Sequence, residues 1–204
     1  MSVVVIKIGG SLLDLPDLDG RLIQVLPRIK SNTDASEGFQ PLFIIGGGRM
    51  ADVVRGWDRI HRLGDEAAHH LAMATLAVNE SLLLELLPDS VHVKNRDEAE
   101  TAWGSRRLPL LKTADFIAAE EASHLSIDPL PHDWTVTSDS LAAWVAAAWP
   151  ASRLVLLKSA YLPGDVSKSQ WAERQLVDRY FPHVMPLVPR VDWINLRAEE
   201  YGAS

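Results

Sequence analysis

The sequence predicts a parallel α/β fold, and three observations carry the prediction. Residues 3–8 (VVVIKI) and 41–45 (PLFII) are apolar runs that each end in a glycine cluster and lead into a helical pattern. A third apolar run, residues 153–158 (RLVLLK), comes late in the chain. Strands without polar alternation suit a sheet covered on both faces, and repeated strand–loop–helix units imply parallel pairing.

The elements follow in order. The first strand stops at Gly9-Gly10, and after Pro16 and Asp17 the apolar residues Leu18, Leu22, Leu26 and Ile29 recur at near-helical spacing. Residues 31–40 are polar and read as a loop. The second strand stops at Gly46-Gly47-Gly48, and Met50, Val53, Val54 and Trp57 mark the next helix. Residues 65–87 predict a long helix ended by Pro88. Asn79, Glu80 and Glu85 within it argue for a buried or interface helix, not a membrane span. Residues 90–94 predict a short strand and 113–122 a helix. Residues 138–149 open with capping residues and continue as an alanine-rich helix. Strand 153–158 is followed by Pro163-Gly164, and the last forty residues, with Pro182, Pro186 and Pro189, predict no clear element. Without a linker or repeat, residues 1–204 read as a single domain, as the length suggests at ~150 residues per domain.

Composition narrows the function classes. The chain has no cysteine, which excludes disulfides, cysteine-bound zinc, iron–sulfur clusters and thiol catalysis, and fits a reducing, cytoplasmic setting. Twenty basic against 27 acidic residues give a net charge of −7, which disfavours a surface built to bind nucleic acid. The apolar start is too short for a signal core and no basic residue precedes it, so neither a targeting segment nor a membrane partner is expected.

The candidate chemistry lies at the two glycine clusters. In a parallel sheet such loops share the carboxyl edge, where ligands bind. Glycine lets backbone amides approach an anion, and the helix that follows adds a favourable field. Two adjacent loops could hold two phosphates, or a phosphoryl group between donor and acceptor; the plainer reading is a pair of tight turns. Lys7 stands two residues before Gly9 between Ile6 and Ile8, so its ammonium can reach over that loop toward a transferring phosphoryl group. Asp139, within Thr137-Ser138-Asp139-Ser140, either caps its helix or anchors a catalytic lysine or a metal. Gly46, Gly48 and Ala51 match the dinucleotide pattern G-x-G-x-x-G/A, but on the second strand, and Glu66, at the offset of the usual acidic residue, opens a helix. Adjacent His69 and His70 lack the i,i+4 spacing of a helical metal pair. The seven tryptophans read as core or subunit interface.

In order along the chain, VVIKIGGSLL, IIGGGRMADVVR and VTSDSLAAWVA resemble the amino-acid kinase family, and most closely the small kinases of methanofuran biosynthesis. The resemblance spans roughly residues 2–197 and implies a three-layer α/β/α sandwich, usually assembled as dimers or hexamers. It also implies in-line transfer from Mg2+-ATP to a small-molecule phosphate or carboxylate, such as an aminomethyl-furan phosphate. By the same resemblance Lys7 stabilises the moving phosphoryl group and Asp139 organises the catalytic lysine. Gly9, Gly10 and Ser11 surround the ATP phosphates; Gly46, Gly47, Gly48, Arg55 and Ser138 face the acceptor.

The late nucleotide stretch departs from the family. It reads Leu156-Leu157-Lys158-Ser159-Ala160-Tyr161-Leu162-Pro163-Gly164, with Pro163 where relatives carry aspartate. Lys158 and Gly164 keep their places at the nucleotide, and Tyr161 is a candidate to stack on the base. Lys168 is the candidate for a second catalytic lysine. The departure motivates an alternative reading, a weak or inactive nucleotide- or anion-binding protein of the same fold.

Overall fold

The structure is a computed structural model that describes residues 2–32, 38–123 and 127–198. Six strands form one sheet: β1 (Ser2–Ile8), β2 (Phe39–Ile45), β3 (Ser90–Val93), β4 (Leu108–Leu111), β5 (Arg153–Lys158) and β6 (Val191–Asn195), ordered β3-β4-β2-β1-β5-β6. Every pairing is parallel. Among the described residues seven α-helices accompany it: α1 (Leu18–Ser31), α2 (Gly48–His61), α3 (Asp65–Leu86), α4 (Arg96–Gly104), α5 (Thr113–Ala122), α6 (Ser138–Ala148) and α7 (Phe181–Val184). Among the described residues, no helix is long and apolar enough to cross a membrane.

Strand alternation splits the core in two. Val4, Ile6, Ile8, Phe43, Ile45, Val155 and Leu157 face Leu18, Leu22, Val25 and Ile29 of α1. Val5, Leu42, Ile44, Leu154 and Leu156 face the other way, against α4, α5 and α6. Both faces are therefore covered, which is the three-layer arrangement and the reason the central strands carry no polar alternation. This is the layered parallel architecture that the motifs imply.

The expected elements are present, most ends falling within two residues of the predicted ones. Of the polar stretch 31–40, residues 33–37 lie outside the described residues, Ser31 ends α1, and Phe39 and Gln40 extend β2. Four further elements, α4, β4, α7 and β6, stand where no element was expected. β4 is four residues long with Pro109 inside it, and proline demotes a strand reading. β6 follows Pro186 and Pro189 and supplies an edge of the sheet.

The polar residues inside α3 have partners. Asn79 Nδ2 donates to the Gly46 and Gly47 carbonyls at 2.8 and 2.9 Å. Glu80 Oε1 accepts the Thr113 N–H, at the start of α5, at 3.1 Å. α3 thus braces the second glycine loop, which positions the site described next.

Candidate active site

The sheet register brings the candidate residues to one rim. Lys7 pairs with Ile44 and Leu156, so the chain leaves β1, β2 and β5 side by side at Gly9, Gly46 and Lys158. The ladder continues one step into the loops, since Gly9 N donates to Leu157 O and Gly46 N to Ile8 O, each at 2.9 Å. These two amides are occupied, so loop amides that hold an anion come from the residues after them.

The two glycine loops touch. A Cβ on Gly10 would stand 2.2 Å from Gly48 N and 2.4 Å from Gly48 Cα, and Gly48 itself has a φ of +51°. Only glycine permits both the approach and that backbone region. Ser11 follows in a short 3-10 turn, and its hydroxyl lies 3.0 Å from that of Ser159, tying the first loop to the segment after β5.

Lys7 is 3% exposed and Asp139 5%. Lys7 Nζ donates to Asp139 Oδ1 at 2.8 Å, and Lys158 Nζ donates to Asp139 Oδ2 at 2.6 Å. One carboxylate thus holds two ammoniums, and Lys158 gains the Leu176 carbonyl at 3.0 Å and the face of Trp193 at 5.1 Å. Burial pushes the Asp139 carboxyl up, but the two ammoniums outweigh it and hold the group below the usual carboxylate range. Burial and then the neighbouring Lys7 charge lower Lys158 from 10.5 to about 8, against the opposing pull of Asp139.

The first turn of α6 presents three consecutive side chains to three partners. The Ser138 hydroxyl sits 2.7 Å from where a Gly46 side chain would begin, Asp139 meets the lysines, and the Ser140 hydroxyl donates to Asp178.

Beside the second glycine loop lies a cavity of about 250 Å³ between α2, α3 and the segment that leads into α6. Gly47, Gly48, Arg55 and Ser138 line it, with Asp52, Asp65, His69, Asp133 and Trp134. Arg55 bonds Asp52 at 2.7 Å and stacks 4.5 Å over Trp134, whose indole N–H donates to Asp58 at 2.8 Å. His69 stacks on His132 at 3.9 Å, while burial and the neighbouring imidazoles lower its pKa. Among the described residues no group of histidines and carboxylates could hold a metal ion.

The structure brings together Lys7, Gly9, Gly10, Ser11, Gly46, Gly47, Gly48, Ser138, Asp139 and Lys158, with Arg55 on the cavity wall. Tyr161 and Gly164 line a groove along β6 whose wall includes Trp193, the ring beside Lys158, and Tyr161 is 66% exposed. Lys168 does not join the lysine pair, because its ammonium donates to the Val191 carbonyl at 2.7 Å. Lys158 holds that second place. Glu66 lies in the first turn of α3, which leaves the dinucleotide pattern without its acidic partner at the end of a strand.

Sequence reasoning missed the role of Asn79, whose signal was a polar side chain in an apolar helix. It also missed Arg49 and Arg197. Both bond Asp14, Arg49 at 3.1 Å, and Arg197 also donates to the Ser11 carbonyl at 2.8 Å. No local pattern marks those contacts.

No family model matches the chain. It is 29% identical over 143 residues to the [5-(aminomethyl)furan-3-yl]methyl phosphate kinase of Methanocaldococcus jannaschii. That match covers 69% of this chain and 58% of the relative, so it spans little more than half the relative's length. Uridylate kinase from Archaeoglobus fulgidus superimposes with a TM-score of 0.56 at 15% identity, over 92% of this chain and 87% of that one. UMP kinase from Bacillus anthracis gives 0.61 at 13%, over 97% and 88%, and that from Ureaplasma parvum 0.55 at 17%, over 91% and 84%. These likenesses agree with the fold class and the family resemblance read from the three motifs.

Proposed function

We propose that this protein is a kinase that transfers the γ-phosphoryl group of ATP to a small phosphorylated acceptor bearing an amine. The observation that carries the reading is the pair of buried ammoniums, Lys7 and Lys158, held by one carboxylate beside two touching glycine loops.

The residues fit a nucleotide triphosphate with its metal. Glycines where no side chain has room leave backbone for phosphate oxygens, and two lysines supply the charge. Mg2+, held by the phosphates themselves, would neutralise part of their charge. Gly10 and Ser11 take the donor phosphates, and Gly47 and Gly48 the acceptor phosphate. An acceptor oxygen forms the new bond to the γ-phosphorus as the bond to the β–γ bridging oxygen breaks, and ADP departs with that electron pair. The attacking phosphate is already anionic, so no base has to remove a proton. Catalysis reduces to positioning and charge stabilisation. Lys7 meets the charge on the moving group, Lys158 holds the donor side, and Asp139 fixes both ammoniums.

The cavity supports the acceptor class. Asp52, Asp65 and Asp133 line it against one guanidinium, Arg55, already bonded to Asp52. An ammonium on the acceptor complements that surplus, and the Methanocaldococcus relative is named for an aminomethyl phosphate substrate.

The protein also self-associates in this reading, in a cytoplasmic setting that accords with its lack of cysteine. Met50, Val53, Trp57 and Ile60 form an exposed stripe along α2 at spacings of three and four, and Leu71, Val78 and Leu82 extend the apolar surface along α3. Such a stripe suits helix-to-helix packing between two copies.

The deciding experiment mixes the protein with Mg2+-ATP and a panel of phosphorylated amines, alcohols and acids, following ADP release. Turnover on amine-bearing phosphates is expected. ATP binding with no turnover across the panel would leave a nucleotide-binding protein and overturn the kinase reading.

A further inference from the structure

Asp178 belongs to no helix or strand and lies outside the acceptor cavity, yet its carboxylate accepts five hydrogen bonds. Thr137 N and Thr137 Oγ1 donate at 3.0 and 2.8 Å, Ser140 N and Phe181 N at 3.0 Å, and the Ser140 hydroxyl completes the set. Four of the five come from the start of α6, whose N-cap residue Thr137 makes no capping bond of its own. A carboxylate thirty-eight residues away in sequence from Ser140 therefore does the work of a helix cap. Between Thr137 and Ser140 lies Asp139. Two residues before Asp178, the Leu176 carbonyl receives the Lys158 ammonium at 3.0 Å. One short segment thus grips both members of the Lys158–Asp139 pair, the carboxylate through its helix and the ammonium through a carbonyl.

We infer that Asp178 is a positioning residue for phosphoryl transfer, setting the orientation of Asp139 and through it the two ammoniums, without touching either substrate. The inference rests on the kinase reading for its consequence in turnover, and on the hydrogen bonds at the start of α6 together with the charges around Lys158 for its consequence there. The charged groups facing Lys158 are Lys7 from β1, Asp139 from α6 and Asp178 itself, with the Trp193 ring from β6. The Asp178 charge favours the protonated ammonium.

The test compares the wild type with Asp178→Asn, which keeps an oxygen acceptor but removes the charge, and with the double variant Thr137→Val/Ser140→Ala, which removes two hydroxyl bonds and keeps the charge. A misplacement of about 1 Å costs up to ~100-fold, so both variants are expected to lose about tenfold or more in kcat while KM for both substrates stays within about threefold. The alkaline limb of the rate profile moves to lower pH in Asp178→Asn, which loses a charge that favours the protonated Lys158. A merely structural cap would lower the melting temperature and leave the limb where it is. Either folded variant with wild-type kcat, or an unmoved limb in folded Asp178→Asn, overturns the inference. Should Asp178→Asn fail to fold, kcat of the double variant decides. Should the wild type turn over no acceptor, the kinase reading fails instead, and titration of Lys158 by NMR on 13C-lysine-labelled protein still decides. An unchanged midpoint in Asp178→Asn would then end the proposal.

Discussion

Lys158 and Asp139 stand on different elements, yet their side chains meet at 2.6 Å, with Lys7 on the other oxygen of the same carboxylate at 2.8 Å. Neither lysine has that carboxylate to itself, so removing one ammonium leaves a one-to-one pair, whereas removing the carboxylate leaves two ammoniums facing each other.

Removing one ammonium tests catalysis. Lys7→Ala and Lys158→Ala should each cut turnover at least ~100-fold, the scale for one preorganised charge contact. Near-normal kcat in the Lys7 variant, measured by ADP release, would remove Lys7 from the mechanism.

Removing the carboxylate tests stability as well. Asp139→Ala leaves two ammoniums in a buried site, and breaking a buried ion pair costs about 3–5 kcal/mol. Urea denaturation should register a loss of that size. A wild-type midpoint would mean that solvent reaches the pair.

The rate should fall as pH rises through about 8, where Lys158 gives up its proton. The sign follows from the folded protein binding that proton less tightly than the unfolded chain. Activity needs the charged ammonium and is lost above the folded pKa, while the linked contribution to stability grows between about 8 and 10.5. Lys158→Arg, which stays charged, should carry the alkaline limb to higher pH. A limb that remains near 8 in this variant would assign it to another group.

Glycine substitutions separate the loops from the helices. Gly10→Ala would place a methyl 2.2 Å from the Gly48 nitrogen and should abolish ATP binding in calorimetry. Gly20→Ala and Gly56→Ala meet nothing within 4 Å, lie inside α1 and α2, and should stabilise by about 0.5–1 kcal/mol. Unimpaired binding by Gly10→Ala would contradict the close approach.

Light scattering should give a dimer or larger for the wild type and a monomer for Trp57→Glu/Ile60→Glu, which charges the C-terminal half of the α2 stripe. A monomeric wild type would leave that stripe without its second copy.

Much of this arrangement was legible in the chain because it is local. β-branched runs and glycine clusters announce β1 and β2, and the buried position of Lys7 follows from Ile6 and Ile8 beside it. What escaped depends on distance. Nothing near Asp178 in sequence shows that its carboxylate meets the start of α6. Lys158 reads as a nucleotide contact because nothing nearby in sequence shows that β5 ends beside Asp139. β4 escaped for a local reason, Pro109, whose missing N–H is tolerated in a four-residue strand.

The backbone contact between Gly10 and Gly48 has a consequence for how such a protein can change. In the proposed reading these loops hold the two reaction partners, and because their backbones touch, neither loop can be widened or shifted without disturbing the other. Diversification toward new acceptors is therefore channelled into the outer lining, Asp52, Arg55, Asp65, Asp133 and Trp134, where side chains can be exchanged while the junction stays fixed.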